Sequence, residues 1–314
     1  MRIAAILVLL AALAAGQDFA LLGIRDNPAQ DSQAVPPRVK IAVDIFASDR
    51  LLDTRFVTIR DASMRRLLFH DPVIVAVRPD LAYLLCPDGK SMRCLRFSWS
   101  TGEDLGKSFL VHCGALEFRS PPIHVLPERV AFLTDKALVN LDLRLGTFVR
   151  TKVRGRPLHL QTELNRLYIA QPRVLTFHSL LPNSPPDALP GEPKPLFELP
   201  DKVVPARAAV NARGTRIAYA SPSPSRRADA ARCLFSVADS RGRLLLRRSM
   251  KGRFHDLRWL DDNRVLLTTT DVETTFVHVL QIDKDRLQTK RLPARYLAPP
   301  EIASAALLGL RTKG

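Results

Sequence analysis

Aromatic residues make up only 6% of this 314-residue chain, with two tryptophans and four tyrosines among them. Carbohydrate recognition by exposed stacking rings is therefore disfavoured. Cysteine is also scarce: Cys86, Cys94, Cys113 and Cys233 are too few for a disulfide scaffold, and their spacing matches no zinc or redox motif. Acidic residues number 31 against 47 lysines and arginines, a formal net charge of +16. A field of that sign attracts anionic partners of any kind and says little about the fold. A general arginine bias of composition accounts for it equally well. Nucleic acid is not the expected partner, because aromatics are not interleaved with the basic residues. No G-x-S-x-G elbow, H-E-x-x-H helix, P-loop or dinucleotide fingerprint occurs, and no cofactor is expected. The 46% hydrophobic and 25% charged content that is present suits a globular core and excludes disorder of the whole chain.

Long apolar runs are missing after the first residues. The opening MRIAAILVLLAALAAGQ places Arg2 before an apolar stretch from Ile3 to Ala15, with Ala14 and Gly16 at the small-residue spacing of a signal-peptidase site. That stretch has about 13 residues where a span needs roughly 20. Residues 1–16 are therefore expected to be a secretion signal cleaved after Gly16, and residues 17–36 an N-terminal extension. Gln17 stands where a lipoprotein would carry cysteine. The best later apolar segment, Ile302 to Leu310, contains Ser304 and Gly309, so the mature chain is expected to lack a transmembrane anchor and to reside in the periplasm or outside the cell.

One pattern recurs along residues 37–314: a short apolar segment, a tight polar turn, then a basic or small residue opening a second, more strongly apolar segment. It reads AVRPDLAYLLC at 76–86, HVLPERVAFLT at 124–134, LQTELNRLYIA at 160–170, AVNARGTRIAYA at 209–220 and RWLDDNRVLLT at 258–268. The second segments open at Leu81, Arg129, Arg166, Arg216 and Arg264, with KIAVDIFAS at 40–48 as a weaker first copy. Successive openings from Lys40 are 41, 48, 37, 50 and 48 residues apart, a period that suits four-stranded blades. Unbroken apolar runs suit strands buried on both faces, and Pro79-Asp80, Arg213-Gly214 and Asp262-Asn263 sit where a hairpin must reverse. An alternating third strand follows, as in TTFVHVLQID at 274–283, and then a basic fourth one, as in TFVRTKV at 147–153, RLLLRRS at 243–249 and RLQTKRL at 286–292. Charge on that outermost strand opposes edge-to-edge aggregation. The expected fold is all-β: a single propeller with blades at roughly 37–70, 71–119, 120–156, 157–200, 201–250 and 251–292. The first blade lacks a clear inner strand, and either Ile302–Leu310 or Phe19–Ile24 is available to complete it.

At NARGTRIAYAS, residues 211–221, and RWLDDNRVLLTT, residues 258–269, the chain resembles the repeats of TolB-type six-bladed propellers. Weaker copies extend the likeness over about residues 71–292. No copy carries the whole Ser-Pro-Asp-Gly turn usual there, and no room is left for the separate amino-terminal domain of TolB. The resemblance implies a propeller and export, and leaves partners to analogy.

Three histidines, His124, His159 and His255, fall in inner strands nearest the expected central channel. Imidazoles converging there would bind a metal or act as acid and base, or else pack against neighbouring blades; no resident metal is expected. Asp261-Asp262-Asn263 and Asp283-Lys284-Asp285 are read as hairpin turns rather than calcium ligands. Arg226 and Arg227, in the loop at 221–231, are candidates for clamping a carboxylate or phosphate. Cys86 and Cys94 flank the Pro87-Asp88-Gly89 turn, and a bridge between them is expected. The expected function is that of a non-catalytic, monomeric binding scaffold for a protein, a peptide or an anionic cell-envelope polymer. The alternative is a hydrolase or lyase with a polar or metal site in the channel.

Overall fold

A computed structural model of the chain describes residues 19–25, 40–68, 72–78, 81–99, 101–113, 123–126, 129–134, 136–161, 166–171, 174–179, 192, 194–198, 207–222, 232–271, 274–283, 286–297 and 300–304. Most of them lie in strands, gathered into six antiparallel sheets that form the six blades of a β-propeller. Strands β1 (Phe19–Arg25), β2 (Lys40–Ala47) and β3 (Arg50–Val57) belong to blade one. A short helix α1 (Ala62–Leu67), the single one among the described residues and N-capped by the Asp61 side chain on the Met64 amide, leads to blade two. There β4 (Val73–Arg78), β5 (Leu81–Asp88) and β6 (Ser91–Ser98) are followed by an outer strand split into β7 (Glu103–Asp104) and β8 (Phe109–His112). Blade three holds β9 (Ile123–Leu126), β10 (Arg129–Leu133), β11 (Ala137–Asp142) and β12 (Thr147–Lys152), and blade four β13 (Arg156–Gln161), β14 (Arg166–Gln171), β15 (Val174–Ser179) and β16 (Lys194–Glu198). Blade five holds β17 (Arg207–Val210), β18 (Arg216–Pro222), β19 (Arg232–Asp239) and β20 (Leu244–Lys251); blade six holds β21 (Arg253–Trp259), β22 (Arg264–Asp271), β23 (Thr274–Asp283) and β24 (Arg286–Tyr296). The last strand, β25 (Glu301–Ser304), returns to blade one and pairs with β1.

The second strand of each blade is apolar on both faces because each face meets a different neighbour. Along β5, Ala82, Leu84 and Cys86 pack in the core shared with blade one, while Leu81, Tyr83 and Leu85 join the core shared with blade three. Five second strands begin at the expected residues, from Leu81 to Arg264. The opening arginines serve local pairs: Arg129 reaches Asp142 across the blade at 3.2 Å, and Arg264 reaches Asp261 at 2.6 Å. Turns are built from side chains too. Asp261 Oδ1 accepts from the amides of Asn263 and Arg264 at 2.8 Å each, the turn role expected for it. Asn211 Oδ1 accepts from the Thr215 and Arg216 amides, and its Nδ2 donates to Asp262, which ties the turn of blade five to that of blade six.

Blade one departs from expectation. Lys40–Ala47 is its third strand, not its second; β1 takes the second place and β25 the innermost, in the order β25-β1-β2-β3. Both candidate segments are therefore used, and the propeller begins inside the stretch 17–36 that had been assigned to an extension. The reason is that β25 pairs with β1, a partner nearly the whole chain away. The seam is held by a buried carboxylate: Asp44 accepts from Arg25 Nη1 at 2.8 Å, Thr54 Oγ1 at 2.7 Å and Tyr296 Oη at 2.7 Å.

The expected Cys86–Cys94 bridge is absent; both thiols are buried and unbridged. Cys94 stands opposite Leu85, while Cys86 stands opposite Arg93. That one-residue offset turns the two sulfurs to opposite faces of the blade, since side chains alternate along a strand. Residues 1–18 and 305–314 lie outside the described residues. Among the described residues no helix is long and apolar enough to cross a membrane.

Candidate functional site

The inner strands β25, β4, β9, β13, β17 and β21 stand around the central channel, with β25 against β4, β4 against β9, β13 against β17 and β17 against β21. Ionisable side chains gather on one side of it. Blade six supplies His255, Asp256 and Arg258; blade five Arg207, blade four His159, and the closing strand Glu301.

Alternation along β21 sends Leu257 into the core shared with blade five and leaves Asp256 and Arg258 on the other face. Arg258 forks onto Glu301, with Nη2 to Oε2 at 3.1 Å and Nη1 to Oε1 at 3.3 Å, and its Nε donates to Asp256 Oδ2 at 3.3 Å. Glu301 also accepts from the backbone amide of Ala76 on β4. One carboxylate thus joins blade six, blade one and blade two. Asp256 and Glu301 are 8% and 5% exposed, so their charge is tolerable only because of the guanidinium between them. Burial still pushes Glu301 up to about 7, against the opposing pull of Arg258. Asp256 is likewise raised by burial, with Arg258 and Arg207 pulling the other way. Arg258, for its part, is held charged: Glu301 and Asp256 outweigh its loss of solvent.

His159 keeps some exposed surface yet is walled in by protein, as the lining of a channel is. Burial, then the charge of Arg258, pushes its imidazole down to about 3, so it is neutral at physiological pH. His255 is lowered by burial and by Arg253 and Arg207. The side chain of His124 lies outside the described residues, although its strand position opposite Val130 is fixed. Arg226 and Arg227 lie outside them as well. All three suspected histidines fall in inner strands, His124 in β9, His159 in β13 and His255 in β21, although only the side chains of His159 and His255 are described. Among the described residues no three His, Cys, Asp or Glu side chains converge as a metal site.

Sequence reasoning passed over Arg207, Asp256, Arg258 and Glu301. A signal existed for two of them: Asp256 and Arg258 are an acid and a base two residues apart within an inner strand, and so share a face. For Glu301 there was none, because nothing local marks the residue before an apolar segment as the partner of blade six.

No family model matches the chain, and no curated protein does. Solved structures are similar to it, and one of them, TolB, superposes well enough to show a shared fold. TolB from Acinetobacter baumannii superposes with a TM-score of 0.54 at 12% identity, covering 92% of this chain and 66% of that one. This chain thus spans just under two thirds of that protein. A protein from Lactobacillus plantarum gives 0.41 at 9% identity, covering 91% and 99% of the two chains, and Kluyveromyces lactis Hsv2 gives 0.41 at 11%, covering 85% and 74%. At such identities the likeness shows the fold alone: the resemblance to TolB-type six-bladed propellers holds at the level of architecture.

Proposed function

We propose that this chain is an exported, non-catalytic propeller scaffold that binds an acidic protein or peptide partner. The observation that carries the reading is how charge is divided. In the channel, Arg258 is matched by Asp256 and Glu301. On the rim, the outermost strands of blades three, five and six are basic and contain no carboxylate, with Arg150 and Lys152 on β12, Arg247, Arg248 and Lys251 on β20, and Arg286, Lys290, Arg291 and Arg295 on β24, whereas those of blades one, two and four include Asp53, Glu103, Asp104 and Glu198. The surplus positive charge thus faces outward, where it steers anionic partners.

The test is a pull-down of the purified chain against cell-envelope extract at low and at high ionic strength. A protein retained at low salt and released at high salt supports the reading; retention independent of salt, or none, argues against it. Export is tested separately, by finding in the periplasm or medium a chain that begins at Gln17. The enzyme alternative draws on Glu301, a channel carboxyl raised by burial to about 7 and bound to Arg258, the guanidinium that also lowers His159. Hydrolase turnover abolished by Glu301→Gln with the fold intact would establish it in place of the scaffold.

A further inference from the structure

A second concentration of chemistry lies outside the channel, in the cleft between the outer parts of blades five and six. Strand β24, at 11 residues, is the longest among the described residues and the outermost of its sheet. Its two faces carry different cations. Lys290 faces blade one and pairs there with Asp49. Arg291 and Arg295 lie on the other face, opposite His278 and Phe276 of β23. Their guanidinium carbons stand 4.1 and 6.0 Å from the centroid of the Phe276 ring, and both arginines are exposed. From blade five, exposed Arg248 crosses the cleft to donate to the Leu287 carbonyl at 3.0 Å.

Cation–π contact fixes where Arg291 and Arg295 sit without neutralising them. Neither forms an ion pair with a carboxylate among the described residues. Two like charges sharing one ring repel each other, and an anion bridging them relieves that repulsion while accepting from two planar forks. The cleft also has an apolar side, the half-buried Phe276 ring, and the outer edge of β24 offers backbone groups that no described strand of its sheet pairs. Carboxylates, apolar contact and an extended backbone together describe one occupant.

Resting on the scaffold reading above, we infer that the cleft where Arg291 and Arg295 flank Phe276, with Arg248 farther along it at Leu287, is the docking surface for an extended acidic peptide segment of the partner. Carboxylates would meet the arginine forks, interspersed apolar side chains the Phe276 ring, and the peptide backbone the edge of β24.

The experiment titrates the full chain into a fluorescein-labelled peptide of alternating Glu and Leu and follows anisotropy, with the Gln–Leu peptide as comparison. Saturable binding of the Glu peptide only, weakened about tenfold or more by R291A with R295A, is the expected result. R150A with K152A on β12 of blade three removes the same charge elsewhere and should change affinity by less than about twofold. Equal weakening by the two pairs of substitutions would overturn the site in favour of a diffuse field. Binding of dextran sulfate through Arg291 and Arg295, with none of the Glu peptide, would overturn the peptide as occupant. If the peptide does not bind while the envelope partner is still captured in a salt-dependent way, this cleft fails alone; if neither binds, the scaffold reading fails with it.

Discussion

Arg258 is the residue on which the channel depends, because it sits between two carboxylates that are otherwise nearly excluded from water. Replacing it with Met keeps its bulk and leaves Asp256 and Glu301 without the fork. Breaking a buried pair in this way costs about 3–5 kcal/mol, and the loss should be smaller at pH 5 than at pH 8, since both carboxyls are raised and take up protons first. Urea titrations of R258M at the two pH values measure it; equal losses would show that charge is not the cause. The imidazoles give a second test with a definite sign. His159 is depressed from 6.5 to about 3, so its contribution is complete above 6.5 and is lost as pH falls toward 3. His278, pushed down to about 4 by burial and Arg291, behaves likewise. Glu301, raised from 4.5 to about 7, has the opposite sense: its contribution is present below 4.5 and lost as pH rises through 7. Between pH 6.5 and 4.5 the lowered imidazoles of His159, His255 and His278 outnumber the raised carboxyls of Asp256 and Glu301, and stability should fall on acidification. His159→Gln should flatten that slope by about 1.4 kcal/mol per pH unit, the worth of one proton. An unchanged slope in urea titrations across this window would place the ring in a wetter site than its surroundings indicate.

Among the elements, β1 is the most tightly constrained, since it must pair on both edges and pass under Tyr296. A Cβ on Gly23 would lie 2.3 Å from Tyr296 Cδ1 and 2.9 Å from Pro300 Cβ. Neither neighbour is a flexible chain end: Tyr296 is anchored through its hydroxyl to Asp44. Gly23→Ala should therefore cost about 1–3 kcal/mol, as overpacking does, and the change is read directly from chemical denaturation. A cost near zero would mean that the Tyr296 ring swings aside without releasing Asp44. The repeat pattern anticipated the second strands of blades two to six, the third strand of blade six and the basic fourth strands of blades three, five and six, because each is announced by local features, a turn and then an apolar or basic run; the outer strands of blades two and four, with Glu103, Asp104 and Glu198, lack the expected basic character. Blade one could not be read this way. KIAVDIFA resembles a second strand, and β2 is in fact buried along Ile41–Phe46, but its place in the sheet is set by the partners on either side.

For the whole molecule, the joining of β25 to β1 decides whether six blades make one ring. The seam has three independent bonds: the β25–β1 ladder, the Glu301 contacts to Arg258 and Ala76, and the Asp44–Tyr296 hydrogen bond. Removing residues 301–314 deletes the first two and exposes the edges of β1 and β4. The truncated chain should melt at a lower temperature and become sensitive to protease near blades one and two, where limited proteolysis with mass mapping locates the cuts. Unchanged melting would show that the remaining blades hold the ring shut without the strand.

The sequence by itself determined the strand class, the blade period and five of the second-strand openings, at Leu81, Arg129, Arg166, Arg216 and Arg264. Burial on two faces, turn chemistry and the basic rim are written in residues a few places apart. Only the tertiary structure decided the order of strands in blade one, the faces taken by Cys86 and Cys94, the clasp of Arg258 on Glu301 and the pairing of Arg291 and Arg295 about Phe276. Each of these depends on a choice of partner or on a register. Tyr296 and Asp44 are 252 residues apart, and a shift of one residue in β5 or β6 would reverse which neighbour each cysteine faces. Local composition sets which segments are strands; which strand a segment meets is set by closing the ring, and that closure brings the channel charges together.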